Sequence, residues 1–291
     1  MKEITVKMKN LHIVSVFVIL LINCSYFTTK SNTNKMNMSS LINQGNAYWG
    51  KRVDPKSAKL AVLFYKKAFE LNQTDLNLAA SLSKAYYFQA YYVESDLTKR
   101  DTLYVKGAES ALKGFENSIF YQSFSDTTKF ENNKIKLEAI KKAPIETIGV
   151  LFWWATNHGK FLINKPVIDR IGSREILEIA MHRISTLDED YYYGGPRRFF
   201  GMFYSRLPGV PLDRAKLNFD KSLLDNPNFF GTRVLRAQYY HTKLGNRELF
   251  EEDLEFIIKG DPSLLPDAMP ENLFEQEKAK ELLNNATILF E

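Results

Sequence analysis

Two aromatic-rich segments carry residue types and spacings that could bind a small molecule. The first contains Trp153, Trp154 and Asn157, which are the candidate contacts there. On an α-helix Trp153 and Asn157 lie on one face, whereas Trp154 points about 100° away from them. The two tryptophans therefore cannot share one narrow core stripe. Either one of them lines a cleft, or both pack between two neighbouring helices.

The second segment follows a glycine pair and supplies the candidate contacts Tyr193, Gly194, Gly195, Arg197 and Tyr204. The glycines allow a tight turn, Pro196 favours a helix start, and Arg197 follows at the positively polarised end of that helix. A ligand carboxylate there would accept hydrogen bonds from free backbone N–H groups and from the guanidinium. The competing interpretation is a turn packed by tyrosines, in which Arg197 pairs with Asp188 or Asp190.

No cluster of residues in the sequence has the spacing of a catalytic, metal or cofactor site. The histidines His158, His182 and His241 lack a ligand or carboxylate partner at metal-site or dyad spacing. The glycine pair at 194–195 lacks the lysine of a phosphate-binding loop. The acidic run at 188–190 is typical of a solvated helix end. We therefore predict that the protein is not an enzyme and has no metal and no cofactor.

A different chemistry, covalent acylation, is indicated at Cys24, the single cysteine of the chain. The residues before it have the parts of an export signal, with a basic start and an apolar run at 11–22. This run is too short to span a bilayer, which needs about 20 residues. Residues 21–24, Leu-Ile-Asn-Cys, resemble a bacterial lipobox, although Asn23 departs from the usual Gly, Ala or Ser. We predict a lipoprotein signal peptide at 1–23 and lipidation of Cys24.

The alternative is an ordinary cleaved signal peptide, or an uncleaved anchor, with Cys24 incidental. A disulfide within the chain is excluded because Cys24 has no second cysteine as a partner. The residues that follow are rich in Ser, Thr, Asn and Lys, which is the composition of a solvated segment. We predict a lipidated flexible tether at 24–40 that holds the folded body at a membrane.

The rest of the chain has enough residues for one large or two small cores. The net charge of the whole chain, +5, concerns solubility and is not the footprint of a nucleic-acid partner. Strand signals are scarce, whereas apolar residues recur at spacings of three and four. We predict a single all-α domain at 41–291. The predicted helices are 56–72, 75–92, 103–121, 144–161, 173–187, 196–207, 212–224, 229–244, 247–259 and 271–290.

One small pattern recurs three times along these helices: Ala, an aromatic residue four positions later, and a small residue three positions after that. The copies are Ala61-Tyr65-Ala68, Ala111-Phe115-Ser118 and Ala215-Phe219-Ser222. This spacing is typical of the second helix of a tetratricopeptide repeat, where small residues allow helices to approach closely. Irregular insertions break the period between the copies. We therefore predict an irregular array of helical hairpins with degenerate tetratricopeptide-like repeats.

From about residue 48 to residue 290 the chain resembles the TatT family, the T component associated with TRAP-type periplasmic transporters. The order of several marks along the chain carries the resemblance. The marks are Trp154 with Asn157 and Gly159, Tyr-Gly-Gly-Pro at 193–196, Gly201 with Tyr204, Leu-Pro-Gly at 207–209, and the repeat-like tail from Arg214 to Phe250.

The resemblance implies a periplasm-facing lipoprotein of the bacterial cell envelope with degenerate repeats. It implies association, as a homo-oligomer and plausibly a trimer, with the solute-binding protein of a TRAP transporter. It also leaves room for a small hydrophobic or carboxylated ligand in an apolar cleft or pore. The alternative function is a repeat lipoprotein that assembles envelope complexes through peptide or protein binding, with no small ligand. Neither function involves nucleic acid.

Overall fold

The computed structural model describes residues 36–128 and 132–291, and within these ranges the chain consists of helices, turns and connecting segments without a strand. The predicted all-α class is therefore confirmed. The predicted signal peptide at 1–23 and the lipidation site Cys24 lie outside the described residues. None of the described helices combines the length and hydrophobicity that a membrane-spanning helix requires.

The helices follow one another closely along the chain. Their bounds are α1 36–49, α2 Pro55–Leu71, α3 Leu76–Phe88, α4 Leu97–Glu116, α5 Ile119–Thr127, α6 Asn132–Lys142, α7 Ile148–Leu162, α8 Val167–Gly172, α9 Arg174–Leu187, α10 Tyr191–Arg206, α11 Leu212–Asp225, α12 Gly231–Leu235, α13 Thr242–Leu244, α14 Arg247–Lys259, α15 Met269–Asn284 and α16 Ala286–Phe290. Two π-helical segments extend this pattern: Gln89–Val93 continues α3, and Arg236–His241 joins α12 to α13.

Side-chain caps fix where several of these helices begin. The Asp54 carboxylate accepts a hydrogen bond from the backbone N–H of Ser57 at 3.0 Å, directly before Pro55 at the first turn of α2. Asp75 caps α3 in the same way, accepting from the N–H of Leu78 at 3.0 Å. Such caps satisfy N–H groups that the first helical turn leaves unpaired. These capping residues therefore set the first residues of α2 and α3 within short polar connections.

The three recurring triplets form helix contacts in the manner that their spacing predicts. All nine of their residues are buried. A Cβ atom added at Gly45 of α1 would lie 2.6 Å from the ring of Tyr65, and one added at Gly201 of α10 would lie 2.8 Å from Phe219. Only glycine permits this approach of a first helix to the aromatic residue of the second. The pairs α1–α2 and α10–α11 are therefore equivalent hairpins.

Several bounds differ from the sequence prediction. Helix α1 is described from residue 36, inside the segment predicted as tether, and its Leu41 and Ile42 pack against the core. The predicted helix at 103–121 is wrong in its bounds, because α4 starts at Leu97 after the cap Asp96 and α5 is a separate helix. The sequence prediction omits α6 and α8 entirely. Helix α6 has a polar composition that resembles that of a loop, and α8 has only six residues, which is too few for a clear helical periodicity.

Helix α15 connects the two ends of the array. Its Glu271 binds Arg52, from the link between α1 and α2, through two hydrogen bonds of 2.7 and 3.1 Å, and both side chains are buried. Its Phe274 packs against Phe88 and Tyr92 with ring centroids 5.7 and 5.4 Å apart. The C-terminal helix thus covers the aromatic face of α3 and joins the N-terminal hairpins to a second hydrophobic cluster formed with α12, α14 and α16.

Candidate functional site

An aromatic chamber lies where α3, α7, α10 and α15 meet, and it is the main candidate site. Its volume is about 40 Å³. The residues that line it are Tyr87, Tyr91, Tyr92, Phe152, Trp153, Thr156, Lys160, Tyr192, Gly195, Arg198, Phe199, Met202, Phe229, Gly231, Leu235 and Glu275. A wider and more polar vestibule of about 580 Å³ lies beside it and shares Tyr91, Tyr92 and Lys160 with it. These three side chains therefore form the boundary between the two spaces.

The π-helical segment after α3 places two consecutive tyrosines in the chamber wall. Tyr91 and Tyr92 both line the chamber, although neighbouring residues of an α-helix point about 100° apart. The segment Gln89–Val93 has π-helical hydrogen bonding, which inserts an extra residue into the turn. Short π segments of this kind are frequent at functional sites. The wider turn therefore allows both rings to contribute to one surface.

A left-handed turn at the start of α10 shapes the opposite wall. Tyr192, Tyr193 and Gly194 have φ values of 51°, 59° and 67°, a conformation that costs a non-glycine residue about 1–2 kcal/mol. The turn directs the carbonyl oxygens of Tyr192 and Tyr193 toward Arg198, whose guanidinium donates to them at 3.1 and 2.8 Å. The strained backbone and the buried guanidinium hold each other in place.

Lys160 brings a positive charge to the boundary of the chamber. Its Nζ atom lies 4.2 Å from the centroid of the Tyr91 ring and has no hydrogen-bond partner among the residues that the structure describes. The side chain is buried, and burial lowers the pKa of Lys160 well below its usual value, with a further contribution from the charge of Lys278. A bound anion would remove this penalty because it would supply both a charge partner and an acceptor.

Glu275 carries the opposite charge in the same chamber. Its Oε1 atom accepts a hydrogen bond from the hydroxyl of Tyr92 at 2.7 Å. Its Oε2 atom is buried and has no hydrogen-bond partner in the described part of the chain. No ion pair within 4.0 Å joins Glu275 to Lys160 in the described structure. The chamber therefore holds an acceptor and a donor of opposite charge, each of which has an unused hydrogen-bonding position.

The charges and the aromatic wall of the chamber are suited to binding a small anionic molecule. Arg198 donates to main-chain carbonyls and lies 4.3 Å from the Phe229 ring, so no carboxylate neutralises it in the described residues. The side chains described by the structure include no group of acidic residues and histidines that could hold a metal ion. Two cations and one carboxylate in an aromatic wall favour a ligand with an anionic group and an apolar body.

Two of the residues predicted as contacts line this chamber, and two others support its wall. Trp153 forms part of the wall, with its ring centroid 4.7 Å from that of Tyr192. Gly195 also lines it, because a Cβ atom there would lie 2.6 Å from Phe152. Tyr193 contributes its carbonyl to Arg198 and stacks on Phe229. Gly194 provides the positive φ of the turn.

The other predicted contacts lie elsewhere. Trp154 is buried and stacks on His158, so the two tryptophans of the pair do separate to different surroundings. Asn157 is buried and donates to the carbonyls of Ser83 and Trp153 at 3.1 and 2.9 Å. Tyr204 is buried and accepts from Arg214 at 3.0 Å. These three residues pack and connect helices, and none of them lines the chamber.

Arg197 lies at the protein surface, where it pairs with Glu189 and Asp225. The predicted pairing with Asp188 or Asp190 is wrong in its partners, although an ion pair does form. The residue that enters the chamber is the next one, Arg198. Sequence reasoning also omitted Lys160 and Glu275. For Lys160 a signal existed, because it follows Trp153 by seven residues and therefore lies on the same face of α7.

Comparison with known proteins gives one family. A family model described as "TAtT: TRAP transporter T-component" matches residues 60–290, which is well over half of the chain. No curated protein matches the chain in a sequence comparison. The matched region includes every helix that contributes to the chamber.

Proposed function

The chain belongs to the TRAP transporter T-component family, and from this premise we propose that it is a binding component of a TRAP-type solute uptake system. Family membership gives an accessory role in transport and no enzymatic one. The finer proposal is that the folded body binds the solute-binding protein of the transporter and holds a small hydrophobic or carboxylated ligand in the chamber. The observation that carries the ligand proposal is the unpartnered ammonium of Lys160 inside an aromatic wall.

The ligand proposal is tested by native mass spectrometry of the protein purified under mild conditions. We expect a bound small molecule that is lost from the variant Lys160→Met, because methionine preserves the packing of the aliphatic chain and removes the charge. The control is Lys259→Met, a change at an exposed lysine on α14 that pairs with Glu255. A wild-type protein that carries no small molecule, or a Lys160→Met variant that retains it, would contradict the proposal.

The proposed location is the periplasmic side of the bacterial cell envelope, with the protein anchored by lipid on Cys24. In the variant Cys24→Ser we expect the fold to remain and the protein to move from the membrane fraction to the soluble fraction. The reason is that serine cannot form the thioether to which the lipid is attached, while the buried core in the described part of the chain is formed by side chains of the helices. Fractionation followed by immunoblotting measures the change. Retention of Cys24→Ser in the membrane would indicate an uncleaved anchor.

An exposed apolar face supports the proposed association with other proteins. Val167, Ile168 and Ile171 of α8 are all exposed, and Ile168 retains 74% of its accessible surface. Contiguous exposed apolar side chains are typical of protein contacts. The proposed partners are the periplasmic solute-binding protein and further copies of this chain in a homo-oligomer such as a trimer. Co-purification from the native membrane identifies the partner.

The same face favours a second candidate function, a scaffold that assembles envelope complexes without a small ligand. In that case a partner would still co-purify, but native mass spectrometry would find the chamber empty. Helix α15 covers the aromatic face of α3. A peptide could therefore bind to less of the surface formed by the helical repeats than in an array without such a covering helix. For this reason we place the ligand-binding function first.

A further inference from the structure

We infer that the ligand of the chamber is a zwitterion, namely a free α-amino acid with an apolar side chain. The inference rests on the proposed ligand-binding function and specifies its chemistry. A carboxylate alone would satisfy Lys160 and would leave the buried oxygen of Glu275 without a partner. An ammonium group on the same ligand supplies the donor that this oxygen lacks.

The two charged groups of the chamber that have an unused hydrogen-bonding position, Lys160 and Glu275, are both more than nine-tenths buried. Lys160 retains 7% of its accessible surface and Glu275 retains 2%. Each has one unused position: the ammonium of Lys160 has no acceptor, and Oε2 of Glu275 has no donor, in the residues that the structure describes. Leaving a buried charged group without its hydrogen bonds is costly, so a ligand that satisfies both groups gains from both.

Lys160 and Glu275 line the same chamber and form no ion pair with each other in the described residues. The hydroxyl of Tyr92 donates to Oε1 of Glu275 and so fixes this carboxylate in the chamber wall. Gly231 allows this position, because a Cβ atom there would lie 3.1 Å from that oxygen. Lys160 is held at the boundary by the ring of Tyr91. An α-amino acid carries an anionic and a cationic group on adjacent atoms of one small head, which matches this arrangement.

The remaining lining favours an apolar side chain on the ligand. Trp153, Phe199, Met202 and Leu235 contribute apolar surface to the chamber, and the buried hydroxyl of Thr156 has no hydrogen-bond partner among the described residues. The guanidinium of Arg198 adds a second positive charge near the position of the ligand carboxylate. The vestibule provides room beyond Lys160 for ligand atoms that exceed the chamber volume.

The test is isothermal titration calorimetry of the intact folded protein, first freed of any bound molecule by dialysis. The amino-acid probes are L-valine, L-leucine, L-methionine and L-phenylalanine. The matched analogues of leucine are 4-methylpentanoate, which lacks the ammonium, and 3-methylbutylamine, which lacks the carboxylate. We expect at least one amino acid to bind, and each analogue that removes one charge from the best ligand to bind about tenfold or more weakly.

The variants assign the two charges. Glu275→Gln should abolish the preference for the amino acid over the analogue without an ammonium, and Lys160→Met should abolish the preference over the analogue without a carboxylate. The controls Glu255→Gln and Lys259→Met change an exposed pair on α14 and should leave both preferences intact. Circular dichroism verifies that each variant is folded, and Lys160→Gln replaces Lys160→Met if the latter is not.

Equal binding of the amino acid and of 4-methylpentanoate would overturn the zwitterion inference while leaving a carboxylate-binding chamber in place. Binding of none of the four amino acids would also overturn it. The native mass spectrometry described above then decides separately whether the chamber holds any small molecule. Preferences that persist in Glu275→Gln would contradict the assigned role of that carboxylate.

Discussion

Replacement of Arg198 by methionine is expected to lower the free energy of unfolding by about 2–4 kcal/mol. The guanidinium satisfies the inward-facing carbonyls of Tyr192 and Tyr193, and each buried acceptor left without a donor costs about 1–3 kcal/mol. Removing the desolvation cost of the buried charge offsets part of this loss. The change also removes a positive charge from the chamber. Urea denaturation followed by circular dichroism measures the effect.

The neighbouring arginine provides a matched control in the same helix. Arg197 pairs with Glu189 and Asp225, whose side chains are 66% and 45% exposed. Exposed ion pairs of this kind contribute about 0–1 kcal/mol, so Arg197→Met should change the free energy of unfolding little. The Arg197 variant should also retain the ligand that Arg198→Met loses. Equal effects of the two substitutions would show that the left-handed turn does not depend on the buried guanidinium.

Replacement of Asp253 by asparagine is expected to lower the free energy of unfolding by about 3–5 kcal/mol at neutral pH. Asp253 is buried and accepts hydrogen bonds from Arg233, Arg236 and His241, with both arginine contacts at 2.7 Å. Asparagine would leave two guanidinium groups without their shared charge partner. The cluster joins α14 to α12 and the π segment that follows it, so the C-terminal part of the array should loosen. Thermal and urea denaturation measure the loss.

The pH dependence of this effect has a definite sign. Burial acts to raise the pKa of Asp253, but the hydrogen bonds from Arg236 and His241 outweigh it and hold the pKa at about 2, below the ordinary value of 3.8. A depressed pKa contributes stability above the unfolded value, and that stability is lost as the pH falls from about 4 toward 2. The difference in the free energy of unfolding between the wild type and Asp253→Asn should therefore become smaller as the pH falls from about 4 toward 2. The control is the variant Glu251→Gln, which removes a carboxylate from a solvent-exposed pair on the same helix.

The parts of the fold that follow regular helical geometry could be predicted from the sequence. The buried positions of Ala61, Tyr65 and Ala68 follow from their spacing, because one face of an α-helix recurs at three and four residues. The same rule placed Trp153 and Trp154 in different surroundings. The helical spacing could not show which of the two tryptophans lines the chamber, because that depends on which helices pack against each face of α7.

The chamber itself depends on backbone geometry that departs from a regular helix. The turn at Tyr192 and Tyr193 is left-handed, although tyrosine rarely adopts that conformation. The sequence prediction assumed a standard helix start at Pro196 and therefore assigned Arg197 to the site, whereas the structure has Arg198 there. The π segment after α3 likewise changes which faces Tyr91 and Tyr92 occupy. Glu275 comes from a helix far away in sequence. No local pattern indicates a contact of that kind.

The closure of the array by α15 has a consequence for the order in which the protein forms. The chamber wall combines Tyr87 and Tyr91 from the early part of the chain with Glu275 from its last long helix, and the ion pair of Arg52 with Glu271 spans 219 positions. Contacts so distant in sequence require most of the chain to be present before they can form. The N-terminal hairpins can assemble from local contacts, whereas the chamber forms late and exists only after α15 has docked.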